Sequence, residues 1–343
     1  MSANYRRSIH TVDSHTEGNP TRVIIGGLGA IPGNTLLEKR DWLWRNDDGL
    51  RRMMNFEPRG SGMMCSVILL PPQSEGADFS VIIMEQDEYV PMCGHCMIGV
   101  ATTVVATGMV AVSEPTTSVH LDTPAGPIVC KVEVSNGAAT RVFLDNVDSF
   151  LLLRDAPLTV EGLGDITVDI AYGGDMYAFV DADPLGLSLS PENDAELIQA
   201  AERIRASVAQ QLTTVHPERP DIDSCYQVLF TSATTTAGDY KQTIMCPPGS
   251  IDRSPCGTGT SARVATLFTK AEIVLGEQKM FEGILGTCFG GEAISAEQRG
   301  DILYVRPRIS GSAYLTGFHH FVLDPRDPLP EGFRIGPKPK DAP

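Results

Sequence analysis

Two stretches of the chain carry residues whose types and spacing suit proton transfer. In Met92-Cys93-Gly94-His95-Cys96 and in Asp252-Arg253-Ser254-Pro255-Cys256-Gly257-Thr258-Gly259, a cysteine stands directly before a glycine, and the turn leads into a small, apolar run that reads as helix. The first backbone N–H groups of a helix are unpaired and carry partial positive charge, so each turn welcomes an anion. That anion is the thiolate itself, a substrate carboxylate, or both. A free thiol with a pKa of about 8.5 is mostly protonated at neutral pH, and a helix N-terminus lowers it to roughly 3.5–7.5.

Inverting a stereocentre needs a proton taken from one face of a carbon and another returned to the opposite face. Two monoprotic groups of similar pKa, one charged and one neutral, do this in either direction. Cys93 and Cys256 are the candidates. The amides of Gly94-His95 and Gly257-Thr258 suit a substrate carboxylate whose charge builds up in an enolate-like transition state. No pyridoxal-binding motif is evident, so no cofactor is expected.

Other chemistries fit less of the pattern. Cys93-Gly-His-Cys96 matches the Cys-x-x-Cys of thiol–disulfide oxidoreductases, but that reading leaves Cys256 unexplained. A zinc site built from Cys93, Cys96, Cys246 and Cys256 lacks the second tight pair a structural site shows, so no metal is expected. A non-catalytic binding protein for cyclic amino acids is the remaining alternative. Cys65, Cys130, Cys225, Cys246 and Cys288 sit in or beside apolar stretches and read as small buried hydrophobes.

The elements that must position the two thiols repeat. Strands are expected at 9–12 and 21–27, with His15 in the turn between them. A helix capped by Asn34 or Thr35 runs to about Asn55, followed by a breaker, Glu57-Pro-Arg-Gly60, with a buriable ion pair. Strands at 66–70 and 79–85 lead into Cys93 and a helix over 97–110, and further strands follow at 119–122, 127–134 and 142–147. The second half has strands at 166–172 and 176–181, an amphipathic helix over 192–212, and strands at 226–231 and 241–246. Then come Cys256, a helix over 262–270, and closing strands at 302–307 and 318–323. This is an α/β pattern of mixed sheets in two similar half-domains. The first is expected over 1–135, with the strands from about 310–343 returning to it, and the second over 136–309. The proline-rich tail from Pro325 is expected on the surface.

Composition bounds the partners. A net charge of −16 over 343 residues argues against nucleic acid and against an anionic membrane surface, both of which want a basic face. The apolar runs are strand-sized, far below the roughly 20 residues of a membrane span, and no apolar stretch follows Arg6-Arg7 to make a signal peptide. A cytoplasmic protein with a small-molecule substrate is expected. A homodimer stays open.

With these motifs in view, the chain resembles the proline racemase family. Met92-Cys-Gly-His95 and Asp252-Arg-Ser-Pro-Cys-Gly-Thr-Gly-Thr-Ser-Ala262 carry the resemblance. So do Val12-Asp-Ser-His-Thr-Glu-Gly-Asn-Pro20, Glu57-Pro-Arg-Gly60, Tyr172-Gly-Gly174 and Gly311-Ser-Ala-Tyr-Leu-Thr-Gly317. The family holds proline racemases, 4-hydroxyproline 2-epimerases and trans-3-hydroxyproline dehydratases. Its two-domain fold is shared with diaminopimelate epimerase, with the ligand between the halves. The resemblance implies Cys93 and Cys256 as proton acceptor and donor, and Gly94, His95, Asp252, Gly257 and Thr258 as substrate-binding, Asp252 near the ring nitrogen. The dehydratases carry threonine where this chain has Cys256, which favours racemisation or epimerisation of proline or 4-hydroxyproline over dehydration. Family members often have glycine where this chain has Cys96. The histidine that some 4-hydroxyproline epimerases carry on the strand of Tyr226 and Gln227 is missing, and Tyr226 is the candidate to meet a ring hydroxyl.

Overall fold

A computed structural model describes residues 7–335 apart from Thr234 and Pro248. The arginine-bearing N-terminus before Arg7 and the last residues of the tail, 336–343, lie outside the described residues. The chain forms two compact units, one of residues 1–144 with 312–343 and one of residues 145–311. The division falls after Leu144 rather than near residue 135, because the strand over Ala138–Asp145 hydrogen-bonds to the one before it.

The first unit contains β1 (Arg7–Thr16), β2 (Asn19–Gly26), α1 (Leu36–Asn46), α2 (Asp48–Asn55), β3 (Cys65–Leu70) and β4 (Phe79–Met84). It continues with α3 (Gly94–Ala106), β5 (Thr116–Thr123), β6 (Gly126–Ser135) and β7 (Ala138–Asp145). The second unit contains β8 (Phe150–Val160), β9 (Gly164–Tyr172), β10 (Met176–Asp181), α4 (Asp194–Gln211), β11 (Gln227–Ser232), β12 (Tyr240–Cys246) and β13 (Ser250–Ile251). It is completed by α5 (Gly257–Thr269), β14 (Lys279–Glu282), β15 (Cys288–Arg299) and β16 (Ile302–Gly311), and β17 (Ala313–Leu323) belongs to the first unit.

Pairing makes the two units copies of one plan. The first runs β17–β1–β2–β3–β4–β5–β6–β7, with contacts antiparallel, antiparallel, parallel, antiparallel, parallel, antiparallel and antiparallel. The second runs β8–β9–β10–β11–β12–β14–β15–β16 with the same sequence of directions. In each copy the first parallel step crosses over through the long helical stretch and the second through the cysteine-led helix. Residues 94–105 of α3 are all buried; such a helix, apolar all round, has to be enclosed, and α3 packs on β1, β2, β6 and β17. Helix α5 packs on β8, β9, β15 and β16 in the same way.

Several expectations change. The helix expected over 34–55 is two helices, because Asp47 leaves helical geometry at φ −146° and ψ 38°. Thr35 caps α1, accepting the Glu38 amide. His15 is on β1, opposite Tyr314, rather than in a turn; the turn is Glu17-Gly18, and His15 Nδ1 accepts from the Gly18 amide. The ion pair at the Glu57-Pro-Arg-Gly60 breaker joins Arg59 to Asp327, 2.5 Å apart. The sequence pattern gives no strand where β8, β13, β14 and β15 lie. Among the described residues no helix is long and apolar enough to cross a membrane.

Candidate active site

Each thiol stands at the N-cap of its unit's enclosed helix. Strand β4 delivers the chain to Cys93, extended at φ −148°, and α3 begins at the next residue. Cys93 is partly exposed, while Gly94, His95 and Cys96 behind it are buried. His95 Nδ1 lies 3.1 Å from Cys93 Sγ. The ring's Nε2 faces Asn19 Nδ2 at 3.2 Å and Cys96 Sγ at 3.4 Å, and the Thr16 hydroxyl donates to the His95 carbonyl. Turn β1–β2 therefore positions the imidazole, a contact between residues far apart in sequence.

Electrostatics follow from this packing. The Cys96 S–H bond and then the His95 charge hold the Cys93 thiol well below its ordinary range, against a desolvation cost. His95 moves the other way: burial opposes its charge, but Cys93 and Cys65 outweigh that and raise it well above the usual imidazole value. Each of the two thus favours the charged form of the other, at a helix N-terminus that favours the thiolate as well. Nearby, burial first, then the Cys65 and Cys93 sulfurs, push the Glu85 carboxyl well above the usual carboxylate range.

The second thiol is built differently. Cys256 caps α5 with φ +66°, a left-handed conformation for a residue with a Cβ, which costs about 1–3 kcal/mol and persists only where surroundings over-determine it. They do here. Asp252 Oδ1 accepts from the Ser254 amide at 2.8 Å and from its hydroxyl at 2.9 Å, and Ser254 Oγ accepts from the Cys256 amide at 3.1 Å. Cys256 Sγ accepts from the Gly259 amide at 3.3 Å and meets the Tyr177 hydroxyl at 3.4 Å and the Thr258 hydroxyl at 3.5 Å. Burial first, then the Asp252 carboxylate, pushes this thiol up to about 12. The two thiols are shifted in opposite directions, Cys93 down and Cys256 up.

Of the residues named from sequence, the structure groups Gly94 and His95 with Cys93, and Asp252, Gly257 and Thr258 with Cys256. Tyr226 is apart from the hydrogen bonds around Cys256: it precedes β11, its side chain is exposed, and its carbonyl accepts from Arg205 Nε at 2.5 Å. The tyrosine that does reach the thiol is Tyr177, missed from sequence because it sits in an apolar strand. Its one signal is position, since β10 leaves the Gly173-Gly174 turn. That turn is also what lets α5 approach: a Cβ on Gly173 would fall 2.3 Å from the Thr258 carbonyl oxygen and 2.4 Å from the Ala262 nitrogen. All eight cysteines are free; Cys65, Cys130 and Cys225 are buried, whereas Cys246 and Cys288 are partly exposed.

The comparisons agree along the length of the chain. A family model described as proline racemase matches residues 11–334. A 4-hydroxyproline 2-epimerase of Streptosporangium roseum is 43% identical over 330 residues, covering 96% of this chain and 99% of that one. A proline racemase of Clostridioides difficile is 40% identical, covering 96% and 98%. A trans-3-hydroxy-L-proline dehydratase of Bacillus thuringiensis subsp. konkukian is 36% identical, covering 95% and 98%. A solved hydroxyproline epimerase from Agrobacterium vitis, with bound trans-4-hydroxy-L-proline, superposes with a TM-score of 0.84 at 33% identity, covering 96% of each chain. With a family match over nearly every residue and two thiols capping equivalent helices, the chain belongs to the proline racemase family and is an isomerase.

Proposed function

We propose that the protein inverts Cα of proline or 4-hydroxyproline by proton transfer between Cys93 and Cys256, without a cofactor. The observation that carries this reading is geometric: each unit sets one thiol at the N-cap of its enclosed helix, Cys93 Sγ 3.1 Å from His95 Nδ1 and Cys256 Sγ accepting from the Gly259 amide at 3.3 Å. Cys93 takes the α-proton from one enantiomer while Cys256 delivers its own proton to the other face. The product leaves Cys93 as thiol and Cys256 as thiolate, the form that takes the opposite enantiomer; because the two thiols are shifted in opposite directions, solvent proton exchange returns the pair to Cys93 thiolate and Cys256 thiol. The helix-end amides of Gly94-His95 and Gly257-Thr258 hold the carboxylate as charge moves into it. Asp252 faces the ring nitrogen, where a buried carboxylate offsets an ammonium. Relatives of both activities at 40% and 43% identity support the two substrates about equally.

The dehydratase relative makes a second outcome worth separating. Incubation with L-proline, trans-4-hydroxy-L-proline and trans-3-hydroxy-L-proline in D2O, read by NMR and polarimetry, does so. Inversion with deuterium at Cα is expected; loss of water to a ketimine without inversion would replace the proposal with dehydration. Cys93→Ser and Cys256→Ser each lose inversion by a factor of at least about 10², given the 10²–10⁴ that a general acid or base supplies. Full activity in either variant would end the two-thiol mechanism.

A further inference from the structure

Behind Cys93, the start of β3 and the first turn of α3 bring three soft donors together. Cys65 Sγ, Cys96 Sγ and a ring nitrogen of His95 all lie within 4.8 Å of one another, and all three residues are buried. Linear spacing hides the set, because Cys65 is far in sequence from the His95-Cys96 pair. His95 Nδ1 is engaged by Cys93 Sγ, so Nε2 is the nitrogen facing the sulfurs, already 3.4 Å from Cys96 Sγ. In a tetrahedral site with metal–sulfur bonds of about 2.3 Å and metal–nitrogen bonds of about 2.0 Å, neighbouring donor atoms stand roughly 3.5–3.8 Å apart. The three donors reach that arrangement by small contractions. The Asn19 amide, 3.2 Å from Nε2, is the one polar neighbour at that nitrogen that a cation would displace.

We propose that Cys65, His95 and Cys96 form a binding site for a soft divalent cation, zinc or cadmium. On binding, the two thiols and the imidazole Nε2 release their protons to solvent, so two thiolates balance the dication and Nε2 gives its lone pair to the metal. The ring's remaining proton is then confined to Nδ1, beside Cys93 Sγ. Cation binding stands apart from the proposed reaction.

Cadmium chloride titrated into the reduced full-length protein tests the site. Binding is followed by the ultraviolet cadmium–thiolate band and by metal per chain after gel filtration. One cadmium per chain is expected, with the band lost on adding EDTA. Cys65→Ser and Cys96→Ala each weaken binding by at least about tenfold, while Cys256→Ser keeps the band. Circular dichroism checks that each variant is folded, and either one suffices. Binding unchanged in a folded Cys65→Ser or Cys96→Ala variant, or lost in Cys256→Ser, overturns the site. A chain inactive on every proline still reports through its band, so failure of the proposed reaction and failure of the site remain distinct.

Discussion

Cys93 and Cys256 share a residue type, a helix position and a following glycine, yet their surroundings separate their charge states. Cys93 has an imidazole at 3.1 Å; Cys256 has two hydroxyls, one amide and a nearby carboxylate. Alkylation reads this difference, since only the thiolate reacts. The Cys93 pKa is depressed, so its thiolate persists as pH falls from 9, and its iodoacetamide rate drops only as pH passes down through that lowered value. Cys256 at about 12 is nearly all thiol at neutral pH, and its rate climbs about tenfold per unit between about pH 7 and 10. Peptide mass spectrometry separates the two sites; parallel profiles would contradict the assignment. The Tyr177 hydroxyl lowers the Cys256 pKa, so Tyr177→Phe slows Cys256 alkylation further. The same change costs turnover roughly threefold to tenfold, the worth of one hydrogen bond.

At the scale of elements, the cysteine-led helices work because turns clear their N-termini. In the second unit the Gly173-Gly174 turn lies against Thr258 and Ala262 with no room for a side chain. Gly173→Ala puts a carbon into backbone, where nothing can rotate away, so the start of α5 must move. Overpacking of this kind costs roughly 1–3 kcal/mol, and a shifted Thr258 loses its 2.6 Å bond with Tyr177. Urea unfolding with a lower midpoint, together with a kcat loss larger than the KM change, is the expected result. Wild-type turnover in a destabilised variant would separate the turn from the site. The cysteine helices were legible as elements because glycine, alanine and hydroxyl residues follow each thiol. The break between α1 and α2 had a turn signal in Asn46-Asp47-Asp48-Gly49, but the apolar spacing continues through it and reads as one helix.

For the whole molecule, the long-range decision is where the end of the chain goes. Strand β17 pairs with β1 from Arg7 opposite Leu323 to Thr16 opposite Ala313, beside the fully buried Ile9 and Val12. A chain cut after Gly311 leaves β1 an unpaired edge over an uncovered core. Hydrogen exchange mapped by mass spectrometry then shows residues 7–144 unprotected and residues 145–311 retaining protection. Protection in the first unit would show that β17 is dispensable. What the sequence determined by itself was local: the thiols, the amides that follow them, the glycine turns and the apolar periods, all set by neighbours within one helix turn or strand step. Tertiary structure alone decided that Asn19 and Thr16 hold His95, that Tyr177 meets Cys256, and that Cys65 joins His95 and Cys96. Each of these depends on strand register and crossover, in which a shift of one residue turns a side chain to the opposite face, and no local pattern records that choice.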